Sequence, residues 1–342
     1  MALDHKRIDW IDYTKGIGII LTIVGHTVRQ GLLGGAARAL IFSFHMPLFF
    51  MLSSLTYNYV EDVDVFRNKT KKSARHLLMP VVSVTMIYIF WRVIHEPSLV
   101  ISLPYWKAVI YQIIIGSGVD EYIGNYKVNA LGIPWFFFAL FIGRTAYHYI
   151  RIKQHDMFII STMITLIGIS LGRNDGYLPF SMDIALAVFL FLWVGDKMKT
   201  TYPEQASLSL AGLSFVIWIF TLAFLVPNKQ WTYLELAVRR YSLFPISYIC
   251  AITGTFLFCE IGKYISKMGG IFVPLKIIGK YSLDLLLIHH LDSMWFALWA
   301  VEGRQFFTSA KRVAVDLTLF AIVRIIKMLI YIMKRRSRRN EI

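Results

Sequence analysis

Apolar residues in this chain gather in blocks of about 17 to 23, and polar residues collect in the short stretches between them. A hydrocarbon core of about 30 Å needs about 20 helical residues to cross it. On that measure the sequence predicts ten spans, near 14–34, 38–58, 78–95, 134–150, 156–172, 181–197, 207–226, 243–261, 277–299 and 311–333. Segment 106–116 is apolar but short, and reads as interfacial or re-entrant. Segment 117–133 is the longest outer excursion and a candidate for part of an outer mouth. An outer-membrane barrel would show alternating segments of about ten residues, a pattern not found here. No Pro/Gly/Ser-rich linker or repeat divides the chain, so the expectation is one all-α integral membrane domain over 1–342, ending in a basic tail from about 334 to 342.

Charge fixes the orientation of these spans. Lys and Arg favour the cytoplasmic side of short loops. Lys6, Arg7 and Lys15 precede or open the first span; Arg67, Lys69, Lys71, Lys72 and Arg75 follow the second; Arg151 and Lys153, Lys197 and Lys199, and Lys263, Lys267, Lys276 and Lys280 follow the fourth, sixth and eighth. All of these, with the tail KRRSRR, fall on one side if there are ten spans and both termini are cytoplasmic. Arg239, Arg240, Lys311 and Arg312 dilute the contrast from the other side. The net charge of +15 therefore sets topology and does not indicate nucleic acid. Composition agrees: the chain is 56% hydrophobic with a mean hydropathy of +0.56, above the range of soluble domains. Cys250 and Cys259, both in an apolar run, support neither a disulfide framework nor a cysteine zinc site. No cleavable signal peptide is expected, because the first apolar block lacks a small-residue cleavage signature.

Within the blocks the costly residues are few: Lys15, His26, His45, Asp183, Asp284 and His289, with His290 and Asp292 just beyond. Titratable groups at such depth usually face a protein interior or a watered cavity. Lys15 and His26 are eleven residues apart, which puts them on one helix face, about 20° past three full turns and about 16 Å along the axis. Gly16, Gly18 and Gly25 leave that helix bare enough for close approach by a ligand or by another helix. Lys15 is then either an interfacial anchor or a ligand contact, and His26 either a packed hydrogen-bonding residue or a proton-transfer group. His45, two residues before Pro47, either satisfies carbonyls freed by a proline break or forms part of a site. His289 and His290 point about 100° apart on a helix and do not suit one metal ion, so no metal is expected. Three histidines with few carboxylates suit proton transfer by neutral imidazole, in an enzyme or in a proton-coupled transporter alike.

The motifs in chain order resemble the acyltransferase-3 family of integral-membrane O-acyltransferases, most closely its fucose 4-O-acetylase-like branch. RIDWIDYTKGIGIILTIVGH resembles the family's first-span signature of a basic residue, ten others and a histidine, with Lys15 and His26 in those places. FSFHMPLFFMLSS resembles the second-span motif, although Ser53-Ser54 stands where the family has Ser-Gly. KKSARHLLMP with Arg75 and Pro80, GIPWFFFALF with Trp135, LPFSMDIALAVFLFLWVGD with Asp183, and IGKYSLDLLLIHH with His289 follow. The resemblance implies acyl transfer, most simply acetyl, from cytoplasmic acyl-CoA to a hydroxyl of a cell-envelope or exported carbohydrate or lipid-linked glycan. Acetyl-CoA would be a substrate, with no permanently bound cofactor. His26 is then the general base; Lys15 and Arg75, and after them Lys71 and Lys72, hold the phosphates of the donor; His45 and His289 contact acceptor or proton. Asp12, three residues before Lys15, either orients its ammonium or caps the helix. A bacterial cell membrane is the expected location. The rival is a transporter of a polysaccharide or lipid-linked sugar, but Pro47 has no counterpart in the second half of the chain. A scaffold subunit would leave Lys15 and His26 unexplained.

Overall fold

The computed structural model describes residues 7–28, 31–154, 156–173, 176–226, 233–298, 300–301 and 303–340, with side chains to Met333. Lys6 and the side chains of the basic tail lie outside the described residues. The apolar blocks are helices. Helix α1 (Asp9–Thr27) opens with Asp9 and Asp12 in its first turn, where carboxylates complement the positive end of the helix dipole. Helices α2 (Gly31–Phe42) and α3 (His45–Leu55) follow as one interrupted run. The break falls at Ser43–Phe44 and not at Pro47, which sits in the first turn of α3, where backbone N–H groups have no helical partner to lose. The boundaries 14–34 and 38–58 are corrected accordingly. Ser53 and Ser54 form no turn; they continue α3.

Helix α4 (Val63–His95) is 33 residues long, and the Asp62 side chain caps it by accepting from the Val65 N–H. The basic stretch Arg67–Arg75, expected as a loop, is therefore the first half of this helix; Lys, Arg and Ala are good helix formers. After the short α5 (Pro97–Val100), helix α6 (Leu103–Ile115) takes the place of the interfacial segment and stops at Gly116, whose φ of 64° closes the helix in the left-handed region. Strands β1 (Glu121–Ile123) and β2 (Tyr126–Val128) pair antiparallel as a hairpin within the long outer excursion. Then come α7 (Trp135–Lys153), α8 (Phe158–Arg173), α9 (Met182–Ala187) and α10 (Phe189–Thr201). The run leading through α9 is bent by 57° against α10. Helices α11 (Leu208–Leu225), α12 (Ile246–Met268), α13 (Val273–Lys280), α14 (Ser282–Asp292) and α15 (Gln305–Asn340) complete the fold. The expected ninth span is thus two short helices broken at Tyr281.

Among the described residues, four helical runs are long and apolar enough to cross a membrane, or five if the bent pair counts as one. They are α2 with α3, α4, α11 and α12. The protein is an all-α membrane protein, but ten spans are more than length and apolarity deliver. The shortfall has a physical cause. Helix α14 has 11 residues, and α1, α7 and α15 carry the charged and imidazole groups that face the interior.

Helix α1 is the centre about which the others pack. A Cβ on Gly16 would lie 2.3 Å from the Leu275 carbonyl oxygen, and one on Gly279 would lie 1.6 Å from the Asp12 carbonyl oxygen. Gly18 meets Leu48 and Phe49 of α3, and Gly25 meets Phe42 of α2. The bare face of α1 is therefore filled by helices. Farther out, buried Arg239 ties three segments together: its guanidinium donates to Asp183 at the start of α9, to Ser117 and to Glu121 of β1. Lys263 and Glu260 form a second buried pair, on α12.

Candidate active site

The last turn of α1 delivers His26 to a cavity of about 440 Å³. Helix α2 delivers Arg38 and the start of α3 delivers His45 to the same space, α14 delivers His289 and His290, and α15 delivers Arg312. Loop residues 130–133 and 234–238 cover one side, and α4 and α6 supply Tyr88 and Gln112. Gly132 is required in that cover: its φ is +74°, and a Cβ there would lie 2.8 Å from the His290 ring.

Each imidazole is set by its surroundings. The rings of His26 and His289 lie 5.5 Å apart between centroids, and His26 also meets the edge of Phe42 at 5.4 Å. His45 uses Nδ1 to donate to the Ile41 carbonyl at 3.1 Å, one of the groups exposed by the break before α3. His45 therefore lines the cavity, and its ring repairs a break that lies at Ser43–Phe44 and not at the proline. His289 Nδ1 donates to Asp316 Oδ2 at 2.9 Å, with Asp292 Oδ2 at 3.4 Å. Arg312 in turn donates to both oxygens of Asp292 and, at 3.3 Å, to Thr27 Oγ1 beside His26. Arg38 lies over Phe42 at 3.7 Å, donates to the Gly25 carbonyl at 3.1 Å, and reaches Glu235 and Tyr233 in the covering loop. Burial pushes the Tyr233 phenol above its ordinary value, so it stays a neutral hydroxyl.

The other predicted site residues lie elsewhere. Asp12 sits near the start of α1, about 21 Å from His26 by helical rise, and its carboxylate takes two hydrogen bonds from Arg7 instead of one from Lys15. Lys15 is half-buried, and the charges that act on it are Asp12, Arg7 and Arg144. Arg144 of α7 donates to Ser53 of α3 and Ser73 of α4, so this end of the bundle has a cation that the sequence reading passed over. Lys71, Lys72 and Arg75 are exposed on α4 and outside the cavity. Arg38, Arg312 and Asp316 were also missed. For the last two a signal existed: they stand four apart on one helix, in a block otherwise read as a span.

The nearest oxygen and nitrogen atoms of His289, Asp292 and Asp316 lie within 4.8 Å of one another. That is close enough to share a cation, but the Arg312 guanidinium already occupies both oxygens of Asp292. A positive group in that contact makes the cluster an ion-pair network and opposes a metal. Imidazoles converging on a partly apolar cavity can move a proton and stabilise charge on a bound carbonyl.

Fold and cavity together define a polytopic helical membrane protein with a histidine-lined cavity. The chain belongs to the acyltransferase-3 family, whose acyltransferase domain matches residues 8–332. No curated protein and no solved structure matches it.

Proposed function

We propose that the protein transfers an acyl group, most simply acetyl, from cytoplasmic acyl-CoA to a hydroxyl of a cell-envelope or exported carbohydrate. Membership of the acyltransferase family gives the reaction class. The observation that carries the finer reading is the convergence of His26 and His45, from the start of the chain, with His289 of α14 on one cavity. His26 acts as general base. It takes the proton of the acceptor hydroxyl as the oxygen attacks the thioester carbonyl; the C–S bond then breaks, and the sulfur takes that proton from His26. Transfer is direct from donor to acceptor. Ser293 of the cavity wall spends its proton on the His290 carbonyl, and Cys250 and Cys259 are buried away from the wall.

Lys15, with Arg144 beside it, receives the donor phosphates at the cytoplasmic end, where charge-assisted bonds to phosphate are strong. Ten crossings with both termini inside, in one domain of a bacterial cell membrane, complete the proposal. In that topology the loops covering the cavity face outward, which supports entry of the glycan from that side. Kinship to the fucose 4-O-acetylase-like branch belongs to the same proposal.

The test uses purified protein in nanodiscs with labelled acetyl-CoA and candidate glycans. Transfer should occur in the wild type and vanish in His26→Ala while the variant stays monodisperse. Full transfer by that variant removes His26 from the mechanism.

A further inference from the structure

A second cavity, of about 580 Å³, lies against the histidine-lined one. Its walls are the last turns of α4, helices α5 and α6, and the residues that flank the β1–β2 hairpin. Tyr88, Val109, Gln112 and Ala130 line both spaces, so the two adjoin through those side chains. Each has the size of a small-molecule site, about 300–1,000 Å³. Leu99, Pro104, Asp120 and Asn129 of the second wall are exposed, which puts its rim at the protein surface. It is also remote from the basic half of α4, since Tyr88 stands about 20 Å along the helix from Arg75. The wall has no net charge to offer. Arg92 donates to Glu96, and Asp120 is paired with Lys127 at 2.7 Å. What remains is aromatic surface, hydroxyl and amide. The Tyr88 hydroxyl accepts from Arg92 at 2.8 and 3.2 Å, which leaves its own proton to donate. The Tyr105 hydroxyl is buried and has no hydrogen-bond partner among the described residues, an unfavourable state for a polar group. Gln112 donates to the Ala130 carbonyl at 2.5 Å and so fixes the wall between the two spaces.

We propose that this second cavity is a glycan subsite, which binds an uncharged sugar unit next to the one that is acylated, with Tyr105 as its main contact and Tyr88 at the junction. This rests on the acyl-transfer reading above and narrows its acceptor to a chain of at least two sugars. A sugar ring has apolar C–H faces and a rim of hydroxyls that both donate and accept. Tyrosine rings with polar tips and uncharged amides complement both features, whereas an anion would need an unpaired cation that this wall lacks. The reacting unit occupies the histidine-lined cavity, and its neighbour lies beyond Tyr88 and Gln112. No bond changes in the second cavity. Its contacts hold the acceptor in register, so that binding energy from a non-reacting unit places the hydroxyl for attack.

The test uses glycans released from the envelope of the producing cells, separated by charge and sized into single sugars and short chains. With wild type in nanodiscs and labelled acetyl-CoA, label should enter the neutral chains and not the single sugars. Tyr105→Phe removes a hydroxyl that has no partner in the free protein, so its melting temperature should not fall. Its KM for the chains should nevertheless rise by about 3- to 10-fold, the worth of one hydrogen bond. Tyr105→Ala, which also loses the ring, should raise that KM further, with the KM for acetyl-CoA unchanged in both variants. Single sugars acetylated as well as chains, a preference for the acidic fraction, or an unchanged KM for chains in both variants would each overturn the assignment. A separate arm needs no turnover. In saturation-transfer NMR without acetyl-CoA, the neutral chains should receive signal from the wild type and much less from Tyr105→Ala. Chains that bind both proteins equally, or neither, overturn the subsite. A wild type that transfers no acetyl group, yet binds the chains through Tyr105, places the failure in the acyl-transfer reading.

Discussion

Lys15 and His26 are the two ends of one helix face, but they depend on different partners. His26 meets His289 and Phe42, whereas Lys15 shares its end of the bundle with Arg144. The carboxylate nearest in sequence, Asp12, is engaged by Arg7. Two cations with that carboxylate already bound favour an incoming anion. Lys15→Ala and Arg144→Ala should each raise the KM for acyl-CoA by about 10- to 100-fold, the worth of one charged hydrogen bond, with little change in kcat. Isothermal titration with desulfo- or acetyl-CoA checks this, and an unchanged affinity in both variants removes them from the donor site. Residues of this kind were unevenly legible. His26, His45 and His289 stand out because an imidazole in an apolar block is conspicuous. Arg312 does not, because a basic residue at a block edge is indistinguishable from a topology signal until its partner on another helix is known. Arg144 and Asp316, by contrast, stand inside the blocks 134–150 and 311–333 and were open to the same reading as the histidines. Arg312 is the instructive case: read as loop charge, it is the bond between the last helix and Thr27 of the first.

At the scale of elements, the contact of α1 with α13 is set by the absence of side chains. Gly279→Ala would drive a methyl into the Asp12 carbonyl and Gly16→Ala one into the Leu275 carbonyl, both backbone atoms that cannot rotate away. Both variants should lower the melting temperature in detergent. Gly212→Ala in α11, where nothing stands within 4 Å of the added carbon, should be neutral or stabilising by about 0.5–1 kcal/mol. A Gly279→Ala protein as stable as Gly212→Ala would show that α13 shifts freely. The glycine spacing of α1 was legible in the sequence, but its partners were not, since a bare face suits a ligand and a helix equally. Breaks were harder still. Pro47 drew the expected kink towards itself, whereas the chain breaks at Ser43–Phe44 and begins a new helix in whose first turn proline is harmless. Tyr281 carries no breaker signal of its own, and the helix that ends there, α13, is the one that packs on α1 through Gly279.

For the whole molecule, the proposed ten-span topology has a direct check. Cys250 and Cys259 are 1% and 0% exposed, so a membrane-impermeant maleimide finds no native thiol at the surface of the folded protein. Asn125→Cys at the hairpin tip should then label in intact cells, and Lys72→Cys, exposed on the basic half of α4, only after permeabilisation. The reverse pattern inverts the orientation. The helical, membrane-embedded character was legible at this scale from apolar blocks alone. The count of crossings was not, because several apolar blocks that read as spans fold into helices too short or too polar to pass as crossings by length and apolarity.

The polar loading of α1, α14 and α15 bears on how the chain is made. Charges at the centre of an isolated helix cost about 2.5–3.5 kcal/mol each on insertion, and here their partners lie at opposite ends of the sequence. Thr27, beside His26, leaves the ribosome 285 residues before Arg312, which with Asp316 completes the same cluster. The first helix must therefore wait, sheltered by the insertion machinery or by the apolar helices that follow it, until α15 arrives. The cavity closes only once α15 is in place, and a chain cut before α15 lacks the partners of its own first helix.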